Sequence, residues 1–167
     1  MNTSWQEHCA PDARTLKGKR VLVRVDWNMP VDHGVISDTS RFDVSVPFLK
    51  NLSNAGAKII LLSHYGEKGE SLAVVADHVT KALPFITFTP SFDFGELETS
   101  SRNLQEGQGM LLENVRLFDG ETENLSTLAE SFGTLGDIFI NDAFSVAHRE
   151  HASVVGLGRN MLSYFGP

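Results

Sequence analysis

Short apolar runs alternate with amphipathic stretches along this 167-residue chain, and that alternation constrains the fold more than any other feature. The run over 20–26 is Val-rich with Arg24 inside it. It is too short for a helix and reads as a strand buried on both faces. From 41 to 54, Phe42, Val46, Leu49 and Leu52 recur at helical spacing, with Thr39 and Ser40 as caps and Gly56 as the stop. The pattern then repeats: a strand over 57–63, a helix over 71–83 with Leu72, Val75, Val79 and Leu83 in phase, and a short strand over 85–88 behind Pro84. Strands over 110–113 and 137–140 flank a helix over 125–135. Five strands alternating with helices predict an α/β fold: a three-layer, doubly wound, mainly parallel, Rossmann-like sheet in a single domain. Residues 90–109 stay unassigned, with a helix over 94–104 as one option. Residues 1–16 are expected to be a tail, partly ordered at most, and 17–167 the domain. The stretch 156–167 looks like the start of a further element that then stops.

Charge and cysteine content narrow the function classes. Fourteen Lys and Arg against twenty-one Asp and Glu give a net charge of −7. Long-range attraction to nucleic acid or to an anionic membrane is therefore excluded as the basis of function. No apolar run approaches the roughly 18 residues a membrane span needs, and the first residues lack the order of a signal peptide. The single Cys9 permits no internal disulfide framework and no multi-Cys zinc module, so a cytoplasmic location is expected.

Ligands of open α/β sheets bind beyond the carboxyl ends of the strands, so the residues that follow each strand are the ones that matter. The first strand runs into Asp26, Trp27 and Asn28, and the second into Ser63, His64, Tyr65 and Gly66. The fourth runs into Glu113, Asn114 and Arg116. The last runs into Asn141 and Asp142, with His148, Arg149 and His151 close behind, while Arg41 opens the first crossover helix. Three Arg and three His at one rim of an acidic chain suit a small ligand with more than one negative group, because guanidinium binds phosphate or carboxylate bidentately. Each member also has a structural reading. Arg116 and Arg149 could pair with Asp119, Glu121, Glu150 or Asp142, His64 could hydrogen-bond loop backbone, and Asp26 and Asn28 could cap the turn they occupy. Trp27 and Met29 read as packing.

Other motifs fail. Gly107-Gln-Gly109 and Gly156-Leu-Gly158 lack the third glycine of a dinucleotide fingerprint, and no Gly-Lys-Ser/Thr phosphate loop is present. His148, His151, His64 and Asp26 match no metal-ligand spacing, so no metal site is expected. Ser63 and His64 are strand neighbours pointing to opposite faces, which is not a nucleophile–base pair.

Four segments carry a resemblance: VRVDWNMP from Val23, LLSHYGEKGES from Leu61, LLENVRLFDGE from Leu111 and INDAFSVAHREHAS from Ile140. In order and spacing they resemble the phosphoglycerate kinases of glycolysis, over nearly the whole chain from about Lys17 to Gly166. The resemblance covers that enzyme's 3-phosphoglycerate-binding half. It implies a missing C-terminal nucleotide-binding domain that would bring magnesium with ATP or ADP, so no cofactor is expected in this chain and no turnover from it alone. The family reaction moves a phosphoryl group reversibly between 1,3-bisphosphoglycerate and ADP. By the same resemblance, Asp26 and Asn28 contact the hydroxyl and carboxylate end of 3-phosphoglycerate. Arg41 contacts the carboxylate and, as the catalytic residue, stabilises the transferring phosphoryl, while His64, Arg116 and Arg149 form the basic patch for the phosphate. Trp27, Met29 and Glu150 replace the family's Phe, Val and Ala. Glu67 stands where the family pattern has a phosphate-contacting Arg, reversing the charge, and Lys68 beside it is the alternative contact. That reversal favours a second expectation, a stand-alone anion-binding or regulatory module without catalysis.

Overall fold

The computed structural model of the chain describes residues 9–66 and 70–167. Glu67 and Lys68, and the first half of the expected N-terminal tail, lie outside the described residues. Among the described residues, eight strands and five α-helices follow in the order β1 (Arg20–Arg24), β2 (Val31–Asp32), β3 (Val35–Ile36), α1 (Ser40–Asn54), β4 (Lys58–Leu62), α2 (Ala73–Ala82), β5 (Ile86–Thr89), α3 (Phe94–Asn103), β6 (Gly109–Leu112), α4 (Ser126–Thr134), β7 (Ile138–Asn141), α5 (Leu157–Asn160) and β8 (Ser163–Phe165). Six strands form one parallel sheet in the order β5-β6-β4-β1-β7-β8.

Alternation along the central strand explains the three layers. Val21, Val23 and Val25 face one way and pack with Phe42, Leu49 and Leu52 of α1 and Val75 and Val79 of α2. Leu22 faces the other way, as do Ile60, Leu62, Met110 and Phe139, and there Leu97 of α3, Leu128 and Phe132 of α4 and Leu157 of α5 cover them. A strand with apolar side chains on both faces can be stable only between two such layers. At Gly109 the sheet leaves no room for a side chain, since a Cβ there would sit 2.8 Å from the Ile59 carbonyl oxygen and 2.5 Å from Ile86 Cδ1.

The expected α/β class holds, with corrections to its inventory. The parallel sheet has six strands rather than five, because 163–165 adds an edge strand pairing Tyr164 with Ile140. The stretch 156–167 thus holds a short helix and this edge strand. The open stretch 90–109 contains α3, started by Asp93, whose carboxylate accepts from the amides of Gly95 (2.7 Å) and Glu96 (3.1 Å). β2 and β3 form a separate hairpin whose two loop residues, His33 and Gly34, both have positive φ, the backbone a tight type I′ turn demands. Residues ahead of β1 are held too: Ala10 donates its amide to the Phe165 carbonyl at 2.8 Å, and Ala13 and Leu16 are buried in the core.

Candidate functional site

β1 and β4 are adjacent in the sheet, and the chain leaves them on both sides: α1 follows β1, and β7 returns next to β1 from the far half. Their carboxyl ends therefore meet the loop after β7 at one rim. Asp26 is the hub. Its Oδ2 accepts from Arg41 Nη1 at 2.5 Å and from the Ser145 hydroxyl, and its Oδ1 lies 3.8 Å from His64 Nδ1. Burial works against its ionisation, but the Ser145 hydroxyl, Arg41 and the Asn28 amide outweigh it and hold the carboxyl below its ordinary range. Asn28 uses its amide oxygen to accept from the Gly66 amide at 3.0 Å, fixing the turn after β4 against the turn after β1. Trp27 is fully buried, its indole N–H donating to Ser45 Oγ at 2.9 Å, so it packs as expected.

His64 is 3% exposed, and its Nδ1 lies 3.2 Å from Arg24 Nη2. Desolvation, then Arg24, Arg116 and Arg149, push its pKa down to about 3 against the opposing pull of Asp26. Arg116 comes from the short turn after β6 and donates to the Gly66 carbonyl. Arg149 lies in the loop after β7, exposed, and its guanidinium has no hydrogen-bond or ion-pair partner among the described residues. The fields of Arg24, Arg116 and Arg149 all bear on His64, and Arg24 in turn is attracted by Glu121 and Asp26 and repelled by the other two arginines. Arg41, Asp26, Asn28, His64, Arg116 and Arg149 are thus gathered at one rim, while Glu67 and Lys68 lie outside the described residues. His151, also at this rim, is kept neutral by burial and the same three arginines, and His148 is exposed.

Four residues beyond those expected join the site. Arg24, 1% exposed, donates from Nε to Ser153 Oγ at 3.1 Å and from Nη1 to the Val25 carbonyl at 2.5 Å. Glu121, also buried, accepts from the Ser153 hydroxyl at 2.6 Å and the Ser153 amide at 2.9 Å. Ser145 holds Asp26. For Arg24 the signal was present: a lone Arg inside a strand buried on both faces needs partners. Ser145 and Ser153 leave no comparable trace, because Ser on loops is ordinarily solvated, and Glu121, a candidate partner of Arg116 or Arg149 by sequence, instead accepts from Ser153.

The family's sequence model, phosphoglycerate kinase, matches residues 12–167. The chain belongs to the phosphoglycerate kinase family. Among relatives, the phosphoglycerate kinase of Rhizobium johnstonii is 40% identical over 162 residues, covering 93% of this chain and 40% of the relative. That of Thermus thermophilus is 45% identical over 157 residues, covering 90% and 40%. The solved phosphoglycerate kinase of Coxiella burnetii superposes with a TM-score of 0.82 at 34% identity over 91% of this chain and 40% of its own. That of Pyrococcus horikoshii gives 0.79 at 27%, over 90% and 40%. The chain therefore spans about 40% of the length of the phosphoglycerate kinases it matches. No helix among the described residues is long and apolar enough to cross a membrane.

Asp142, at the end of β7, shows what burial does here without a cation. Its carboxylate lies against the Gly166 backbone and has no hydrogen-bond partner among the described residues. Desolvation alone raises its pKa to about 6. The folded value exceeds the unfolded one, so the native state is favoured by protonation and loses stability as pH rises through about 6. Asp142→Asn should raise the melting temperature at pH 8, and the gain should fade between about pH 6 and 4. A gain independent of pH would refute this account.

Proposed function

We propose that this chain is the 3-phosphoglycerate-binding part of a phosphoglycerate kinase, the unit formed by residues 17–167. The observation that carries the proposal is the convergence of Arg24, Arg116 and Arg149 on a neutral His64, with Arg41 held beside them on Asp26, in a chain of net charge −7. Concentrated positive charge against the global balance suits a small, multiply charged anion. Arg116 and Arg149 take the phosphate with His64. Asp26 and Asn28 meet the hydroxyl and carboxylate end. Arg41, shared between Asp26 and the ligand, is placed to stabilise charge on a phosphoryl group in transfer between 1,3-bisphosphoglycerate and ADP.

Nucleotide and magnesium fit elsewhere. Among the described residues no group of three His, Cys, Asp or Glu is placed to hold a metal ion, and the sequence has no phosphate-binding glycine loop. Mg-ATP or Mg-ADP belongs to a nucleotide-binding partner domain, within the part of such an enzyme's length that this chain does not span. An apolar groove of about 680 Å³ between β8 and residues 154–161, lined by Phe139, Val154, Met161 and Tyr164, carries none of the rim's Arg or His and is separate from the anion site.

Calorimetric titration with 3-phosphoglycerate tests the assignment. Arg116→Ala and Arg149→Ala should each weaken binding about 10- to 150-fold, the loss of one charge-assisted contact of about 1.5–3 kcal/mol. Unchanged affinity in Arg149→Ala would remove that residue from the site, and no binding by the parent chain would sink the reading. Glu67 favours a second reading, a binding module without catalysis. Failure of a separately made nucleotide domain to restore turnover to a chain that binds 3-phosphoglycerate would decide for it.

A further inference from the structure

Arg24 and Glu121 are buried charged groups to which the proposed binding reading gives no ligand contact. They stand in a continuous polar line: Glu121 Oε1 accepts from Ser153 Oγ (2.6 Å), Ser153 Oγ accepts from Arg24 Nε (3.1 Å), and Arg24 Nη2 lies 3.2 Å from His64 Nδ1. Guanidinium has donors only. The nitrogen it faces must therefore offer a lone pair, and a neutral imidazole with Nδ1 as acceptor carries its proton on Nε2. Asp26 Oδ1 approaches the same Nδ1 and would favour a proton there, but at 3.8 Å it is beyond hydrogen-bond reach while Arg24 is within it.

Nε2 has no partner among the described residues, yet the one sealed, unpaired side-chain atom among them is Asn124 Oδ1. Nε2 is thus the ring nitrogen left for a group beyond the described residues, while Nδ1 is taken up by Arg24. Burial and the neighbouring arginines disfavour the imidazolium.

We propose that Arg24 is a positioning residue that locks His64 as the neutral, Nε2-protonated tautomer, so that the imidazole presents an uncharged N–H donor to an anion at the rim. Glu121 and Ser153 hold Arg24 in the orientation this needs. The inference rests on the binding reading above only for the identity of the anion.

Nitrogen NMR of the imidazole rings in the ligand-free chain tests it directly. The expected spectrum at neutral pH shows His64 protonated on Nε2 alone. A proton on Nδ1, or a charged ring, overturns the proposal without any variant. Arg24→Met combined with Glu121→Gln, which leaves no lone buried carboxylate, should shift the population toward Nδ1–H, and an unchanged tautomer there also overturns it. Asp26→Ala is the converse: the tautomer should persist, and its loss would assign control to Asp26 instead. Added 3-phosphoglycerate should move the Nε2–H resonance. A correct tautomer that ignores this ligand would count against the binding reading and leave Arg24 in its role.

Discussion

Arg24→Met alone is expected to destabilise the folded chain by about 3–5 kcal/mol, the cost of breaking a buried ion network from one side. The reason is what remains. Glu121 is 1% exposed, and burial already raises its pKa against the opposing effects of Ser153, Arg24 and Arg116. With Arg24 gone, an ionised Glu121 keeps its Ser153 bonds and loses the cation inside its pocket, so its folded pKa rises further. A carboxyl whose folded pKa lies above its unfolded value stabilises the native state when protonated and costs stability as pH rises through the folded pKa. The loss should accordingly be larger at about pH 8 than at about pH 5, and adding Glu121→Gln should recover much of it. Urea unfolding of the two variants at both pH values measures this. Equal losses in the single and double variants would show that packing around the Arg24 side chain, and not charge, sets its contribution.

A polypeptide of these 167 residues should show no phosphoglycerate kinase turnover, an all-or-none effect. Phosphoryl transfer is almost wholly a matter of positioning donor, acceptor and metal and of stabilising the charge between them. On the reading proposed above the rim takes one substrate, and the sequence has no phosphate-binding glycine loop for the other. A coupled assay on protein purified twice, beside a blank preparation, is the measurement. Turnover that follows the chain through the second purification would overturn the division of labour proposed here.

Much of the fold was legible because its signals are local. A helix announces itself within four residues, as Val75 and Val79 do, and a strand buried on both faces does so in five, as at 20–24. The elements that escaped are short or rely on distant partners. β8 has three residues and exists through its pairing with β7, and the His33–Gly34 hairpin lacks the usual Asn-Gly or Asp-Gly turn signal. For the site, the strand-end rule gathered Asp26, Asn28, Arg41, His64, Arg116 and Arg149 as candidates from position alone, while the charge at Glu67 came only from comparison with the family pattern.

The sequence by itself determined the α/β class, the order of the main elements and the rim at which polar residues collect, since periodicity and strand ends are properties of neighbouring residues. Only the tertiary structure decided the strand order and which of those residues touch. Arg24 meets Ser153 across 129 positions and Asp26 meets Ser145 across 119. At such separations no local pattern specifies a partner. The contacts arise because a parallel sheet brings the ends of β1, β4 and β7 to one edge, and because a charge buried there must find its hydrogen bonds among whatever the fold brings within reach.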